Sequence, residues 1–213
     1  VFALAIGVGL SSGSDASAAF GHYILLVSSL GFAVLLAAYV VAVVGARRGL
    51  GEFARAILPS QTVALSTQSS LASLPPMLAS CRTLRVRESS ADFVLPLAVA
   101  IFRATSPAMN LAVAIYVAKL TGVELTPSVI GIGAAVALVT TVGSVSLPGA
   151  ISFVTSIGPI ALAMGVPVEP LALLVAVEML PDIMRTVGNV TMNVAVASTV
   201  DHRTLHEGPT APE

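Results

Sequence analysis

Residues 53–79 read FARAILPSQTVALSTQSSLASLPPMLA, apolar toward both edges and polar through the centre at Ser66-Thr67-Gln68-Ser69-Ser70, with Pro75-Pro76 just beyond. A straight transmembrane helix does not carry such a centre. Two half-length helices meeting at a polar tip do, because non-helical backbone at membrane depth survives only where protein buries it or where it lines a wet cavity. Arg47 and Arg48 precede the stretch, and Arg82, Arg85 and Arg87 follow it. Both ends of this re-entrant hairpin, about 53–80, therefore lie on one side.

The reading requires a bilayer, and the composition demands one. Hydrophobic residues make up 56% of the chain and charged residues 10%, with a mean hydropathy of +0.96; a soluble domain carries about 25% charged residues. Tyr23–Val44 contains no charge and is long enough to cross a hydrocarbon core of roughly 30 Å as one helix. A transmembrane helix is expected over 20–48. The net charge of −1 and the lack of a basic stripe exclude the electrostatic footprint of a nucleic-acid binder. Cys81 is the single cysteine, which excludes an intramolecular disulfide and a multi-cysteine metal site and leaves it a packing role. Residues 1–10 are apolar but too short to span, and are expected to be the end of a truncated transmembrane helix in a longer polypeptide.

Working outward, the hairpin pattern recurs at about 129–164, where Thr140-Thr141-Val142-Gly143-Ser144-Val145-Ser146 leads into Leu147-Pro148-Gly149. Helices are expected at about 92–119, interrupted near Arg103-Ala104-Thr105-Ser106-Pro107, and at about 169–200. Residues 201–213 read as a tail. In this layout the arginines of the loops gather on one side, with Lys119 alone on the other, so the positive-inside rule makes the arginine-rich loops and the C-terminus cytoplasmic in a cell membrane. The first hairpin then opens from the cytoplasm and the second from outside. The expected fold is an all-α membrane protein with transmembrane helices and two opposed re-entrant hairpins forming an inverted repeat, with residues 53–200 as one substrate-binding domain. Inverted repeats with interrupted helices and a site at the midplane mark secondary transporters.

Glu178, Asp182, Arg185, Asn189 and Asn193 follow one another at steps of four, three, four and four, on one helical face, with Thr186 adjoining. A charge at the bilayer centre costs at least ~2.5 kcal/mol, so it persists where it faces a cavity, a partner or a ligand. An isolated Asp182–Arg185 pair at i and i+3 would serve neutralisation alone; the three further polar neighbours favour a binding site. The guanidinium fork suits a carboxylate, and an aspartate beside it suits an ammonium. The solute expected is a small dicarboxylate or acidic amino acid. Helix N-termini at the serine-rich tips offer free N–H groups to an anion, with Ser69 and Ser70 as hydroxyl donors, although serines of a turn more commonly satisfy that turn.

At this point the chain resembles the dicarboxylate/amino acid:cation symporters, which include the glutamate transporter homologues. The resemblance covers the whole chain as the C-terminal half of such a protein. It is carried by Ser69-Ser70-Leu71-Ala72-Ser73-Leu74-Pro75, Phe93-Val94-Leu95-Pro96-Leu97, Gly143-Ser144-Val145-Ser146-Leu147-Pro148-Gly149 and Asp182-Ile183-Met184-Arg185-Thr186-Val187-Gly188-Asn189-Val190-Thr191. It implies that Arg185 binds the distal carboxylate, Asp182 the amino group, and Asn189 with Ser69 and Ser70 the other carboxylate, with Thr186 and Ser106 nearby. It implies that backbone carbonyls of Thr141, Val142 and Ser144 face a sodium site, and that the full protein is a homotrimer moving its binding domain like an elevator. The family's Asn-Met-Asp-Gly-Thr signature falls at Phe102–Ser106, where only the last hydroxyl is kept and the sodium-binding aspartate is Ala104; Asn193 stands at another cation-binding carboxylate position. Sodium and proton are both open as the coupling ion. Arg103 is expected to act as a tethered cation beside Asp182 or Glu178, with Glu178 taking a proton, or else to pair with a carboxylate without a part in transport. No cofactor and no catalysis are expected: His22, His202 and His206 lie near or beyond the membrane ends, where none activates a tip serine. The alternative function is a degenerate paralogue that binds or senses an acidic solute without moving it.

Overall fold

The computed structural model describes residues 13–143 and 150–206, which are helices and connecting turns throughout. In order these are α1 Gly13–Val40, loosening into a π-helical turn at Val41–Gly45, α2 Leu50–Thr67, α3 Leu74–Thr83, α4 Glu88–Ile101, α5 Ser106–Thr121, α6 Pro127–Gly143, α7 Ala150–Ala163, α8 Glu169–Leu174 and α9 Met179–His206. Residues 1–10, the second polar tip with Ser144, and the tail from 207, about which the sequence raised expectations, lie outside the described residues.

Among the described residues two stretches are long and apolar enough to cross a bilayer, Ala18–Gly45 and Glu88–Thr121. The first ends its apolar run at Arg47-Arg48. The second is α4 and α5 with a break at residues 102–105, where the sequence predicted one. Pro107 causes it: proline has no N–H to continue the ladder, and its ring would collide with the carbonyl of Arg103 four residues earlier.

The chain forms two compact units, one from Val1–Gly31 and Thr105–Arg185, the other from Phe32–Ala104 and Thr186–Glu213. In the first, α5, α6 and α7 pack on one another and α8 on α7. Tyr23, Val27, Met109, Val113, Ile157 and Leu171 are buried in its apolar core. Gly133 lets α6 come close to its neighbours, since a Cβ there would stand 2.9 Å from Leu111 Cδ1 and would collide with the Met164 sulfur.

In the second unit α3 packs on both α2 and α4, and the π-helical turn packs on α2. The hydroxyls of Ser60 and Ser80 meet at 2.8 Å in the α2–α3 interface, which spares two buried polar groups an unpaired state. Gln68 ends α2 in the left-handed region at φ 51°, its N–H donating to the Ala64 carbonyl. Gly45 allows the end of α1 to lie against Thr199 of α9, whose Oγ1 would be 2.8 Å from a Cβ at that position.

Two features differ from the sequence expectation. The span predicted over 169–200 is interrupted between Leu174 and Met179, because Pro181 cannot donate to the Val177 carbonyl and the helix must restart. The second difference is that α9 continues through Asp201 to His206, where a tail was expected. Arg87 explains this: its Nε donates to Asp201 Oδ1 at 2.6 Å, its Nη2 reaches the Asp201 carbonyl and the Thr204 hydroxyl, and Ser90 donates to the same carboxylate oxygen at 2.9 Å. Burial of Asp201 opposes its charge, but the hydrogen bonds from Arg87 and Ser90 and the Arg87 charge outweigh burial and hold the carboxyl below the usual aspartate range. A carboxyl lowered in the folded state lends stability above its unfolded value, near ~3.9, and loses it as the pH falls through the folded value. Asp201→Asn is therefore expected to lower thermal stability in detergent at neutral pH by about 1–3 kcal/mol. The difference from wild type should shrink as the pH is taken below ~4; a gap that stays constant with pH would show that the ion pair contributes nothing.

Candidate functional site

In the first unit, Arg185 sits in the first turns of α9 with all three guanidinium nitrogens engaged. Nη2 donates to Glu178 Oε1 at 2.7 Å, Nη1 to Asn110 Oδ1 of α5 at 2.5 Å, and Nε lies 3.4 Å from Asp182 Oδ1. The Arg185 carbonyl accepts from the Thr105 hydroxyl at 3.3 Å. The other oxygen of Glu178 accepts from the Tyr23 hydroxyl of α1, so both oxygens of this buried carboxylate are used. Tyr23 is fully buried, and its ring is set by Tyr116 of α5 at 5.3 Å between centroids.

The local fold brings these groups together in an identifiable way. Glu178 stands one residue before α9, and its carbonyl accepts the Asp182 N–H at 2.9 Å, so the turn opened by Pro181 still keeps Glu178 in helical register with Asp182 and Arg185. The two carboxylates and one guanidinium leave one formal negative charge in excess. Their exposure differs: side-chain exposure is 10% for Glu178, 13% for Arg185 and 29% for Asp182. Asp182 is thus the carboxylate an incoming group reaches first, while Glu178 is the deeper partner. An arginine held this way can trade an internal carboxylate for an external one without ever being left unpaired, which keeps its desolvation cost covered.

The other predicted residues fall as follows. Ser106 opens α5 in the first unit and is buried; Thr141, in the last turn of α6, is buried with its hydroxyl on the Ala137 carbonyl at 2.7 Å, and Val142 beside it is exposed. Thr186, Asn189 and Asn193 continue along α9 within the second unit, all buried. Ser69 and Ser70 lie in the turn between α2 and α3 of that unit, half-buried; the Ser69 hydroxyl accepts the Ala72 N–H at 3.2 Å and its carbonyl takes the Ser73 hydroxyl at 2.9 Å. Arg103 lies in the break between α4 and α5. Ser144 is outside the described residues. Sequence reasoning missed Tyr23 and Asn110. An amide in the apolar run of α5 signals that some partner is needed at membrane depth, but not which one.

The rest of the surface defines the class. Leu25, Phe32, Leu36 and Val40 form an exposed apolar stripe along α1 that Val44 continues in the π-helical turn, and most of Ala18–Gly45 is not buried. An outward-facing apolar stripe beside an internal ionic cluster suits a bilayer rather than water. This is an integral helical membrane protein built around an internal ionic site, as transporters are. The chain belongs to the sodium:dicarboxylate symporter family, whose model matches residues 1–203. That is a family of cation-coupled dicarboxylate and amino-acid symporters, membrane transporters of small acidic solutes and not enzymes. No curated protein matches the chain at a significant level.

Proposed function

We propose that the chain is the substrate-carrying part of a symporter for a small dicarboxylate or acidic amino acid, working by elevator-type alternating access, with proton coupling in place of sodium. The observation that carries this reading is the Glu178–Arg185–Asp182 set, in which a buried glutamate and a more exposed aspartate share one guanidinium. Arg185 takes the solute's distal carboxylate, and Asp182, the more exposed acid, takes an ammonium where the solute has one. The family resemblance assigns Asn189, Thr186, Ser106 and the tip serines Ser69 and Ser70 to the same solute. Residues 53–200 act as the moving domain, α2–α3 and α6–α7 being its re-entrant hairpins, in a homotrimer with the arginine-rich loops and C-terminus cytoplasmic.

Sodium fits the available donors poorly. Ala104 stands where the resemblance places an acidic cation ligand, Asn193 stands at a second such position where some dicarboxylate carriers of the family also carry asparagine, Thr141, Val142 and Ser144 would add only neutral carbonyls, and hard cations prefer several charged oxygens. Among the described residues there is no cluster of three or more acidic, histidine or cysteine ligands. Asn193 Oδ1 is buried without a hydrogen-bond partner among the described residues, a single neutral acceptor. In the coupled step, the solute carboxylate displaces Glu178 from Arg185, and Glu178 accepts a proton while keeping the Tyr23 hydroxyl. Arg103 supplies a positive charge in the break where the signature's aspartate is lost.

Uptake of labelled aspartate and succinate into proteoliposomes is expected with an inward proton gradient and no sodium. Strict dependence on sodium would overturn the proton coupling. Solute-stabilised melting with no accumulation under any gradient would instead make the chain a solute-binding paralogue.

A further inference from the structure

A cleft of about 430 Å³ opens in the first unit between the start of α1 and the end of α5. His22, Leu26, Ile115, Tyr116, Lys119 and Leu120 line most of it. Its two helix segments are the ends of the two membrane-crossing stretches, Ala18–Gly45 at its beginning and Glu88–Thr121 at its end, so the cleft lies at a membrane boundary. Its chemistry is graded along that direction. His22 and Lys119 stand near the chain ends of the two spans, whereas Leu26 and Ile115 lie about a turn farther in, roughly 6 Å deeper at 1.5 Å per residue. The Tyr116 hydroxyl is spent on the Ala19 carbonyl at 2.6 Å, so the tyrosine presents its ring as a wall, tilted by 37° against the His22 ring with 5.8 Å between centroids.

From this gradient we infer that the cleft is a binding site for an anionic phospholipid, with the headgroup phosphate at Lys119 and His22 and the upper part of an acyl chain along Leu26, Ile115 and Leu120. Lys119 is exposed and in no ion pair among the described residues, and the described residues of the cleft lining include no carboxylate. The transported solute does not fit, because a short diacid has no apolar part for these walls and would leave most of the lining uncovered. A lysine at a membrane boundary with an apolar groove leading inward matches the two ends of one lipid molecule.

Native mass spectrometry of the detergent-purified protein, titrated with phosphatidylglycerol, phosphatidylcholine of the same chains and glycerol phosphate, tests the site without any transport measurement. Phosphatidylglycerol should be retained roughly tenfold better than phosphatidylcholine, and glycerol phosphate should not be retained at all. Lys119→Glu and Ala112→Trp, which fills the cleft from its α5 wall, should each bring phosphatidylglycerol down to the phosphatidylcholine level, while Arg203→Ala should not. Lys119→Gln replaces the charge reversal if that variant melts early. Equal retention by wild type and these variants, equal retention of the two lipids, or an equal loss in Arg203→Ala would overturn the assignment. So would a bound protein mass that disappears in the cleft variants, which would give this face to a protein partner.

Discussion

Arg185→Lys is expected to abolish measurable solute binding while leaving the protein folded. In the resting arrangement the guanidinium serves Glu178, Asn110 and Asp182 from three different nitrogens, a fan that one ammonium cannot reproduce from the same backbone position. Lysine retains the positive charge among the carboxylates, so the buried Glu178 is not left bare. What it loses is the paired N–H geometry toward a carboxylate. Losing two charge-assisted hydrogen bonds of about 1.5 kcal/mol each weakens binding by roughly a hundredfold or more. Arg185→Ala adds a second effect: it strands Glu178 and Asp182, and breaking a buried pair in this way costs about 3–5 kcal/mol, so the alanine variant should also melt early or fail to accumulate. Calorimetry with aspartate and succinate, alongside thermal melts of both variants, separates the two. Undiminished binding in Arg185→Lys would remove Arg185 from the carboxylate-binding role, whatever the stability of the alanine variant.

The parts of this molecule that sequence made legible are those in which a residue is conspicuous against its surroundings. Glu178, Asp182 and Arg185 stand out because a charge in an apolar segment is expensive, and their spacing places them together on any helix. The break before α5 was visible for the same kind of reason, a proline inside an apolar run. Pro181 carries the same signal, yet the expected span ran through it, because the four-residue spacing of polar positions survives the turn: the Glu178 carbonyl still accepts the Asp182 N–H. Tyr23 and Asn110 were not legible as members of the set. A tyrosine near a span end and an asparagine in a helix are ordinary, and only the fold shows that they converge on Glu178 and Arg185 from α1 and α5. The helical turn at 201–206, where the tail was expected to begin, was hidden for a related reason. Asp201 and Thr204 look like solvent-facing residues until Arg87, more than a hundred positions earlier, is found holding them.

Glu178→Gln is expected to separate solute binding from proton coupling. Glutamine keeps the length of the side chain, an oxygen that can accept from Tyr23 or Arg185, and the packing of a nearly closed site. It removes the deeper of the two carboxylates on Arg185, the one assigned the coupled proton when Arg185 turns to the solute. The formal charge of the set changes from −1 to zero, with Asp182 and Arg185 left as a balanced pair. In wild type one coupled proton gives about tenfold accumulation per pH unit of inward gradient, since 1.4 kcal/mol is a factor of ten. The Glu178→Gln carrier should show no such accumulation, yet should still exchange internal for external labelled solute at comparable rates, because exchange requires binding and movement but no net proton transfer. Tyr23→Phe is the informative companion. It deletes the hydroxyl that satisfies Glu178 while leaving the carboxylate in place, so gradient-driven accumulation should persist with a shifted pH dependence. If Glu178→Gln accumulates solute under a proton gradient as wild type does, the carboxylate carries no coupled proton and the excess charge beside Arg185 has a purely structural role.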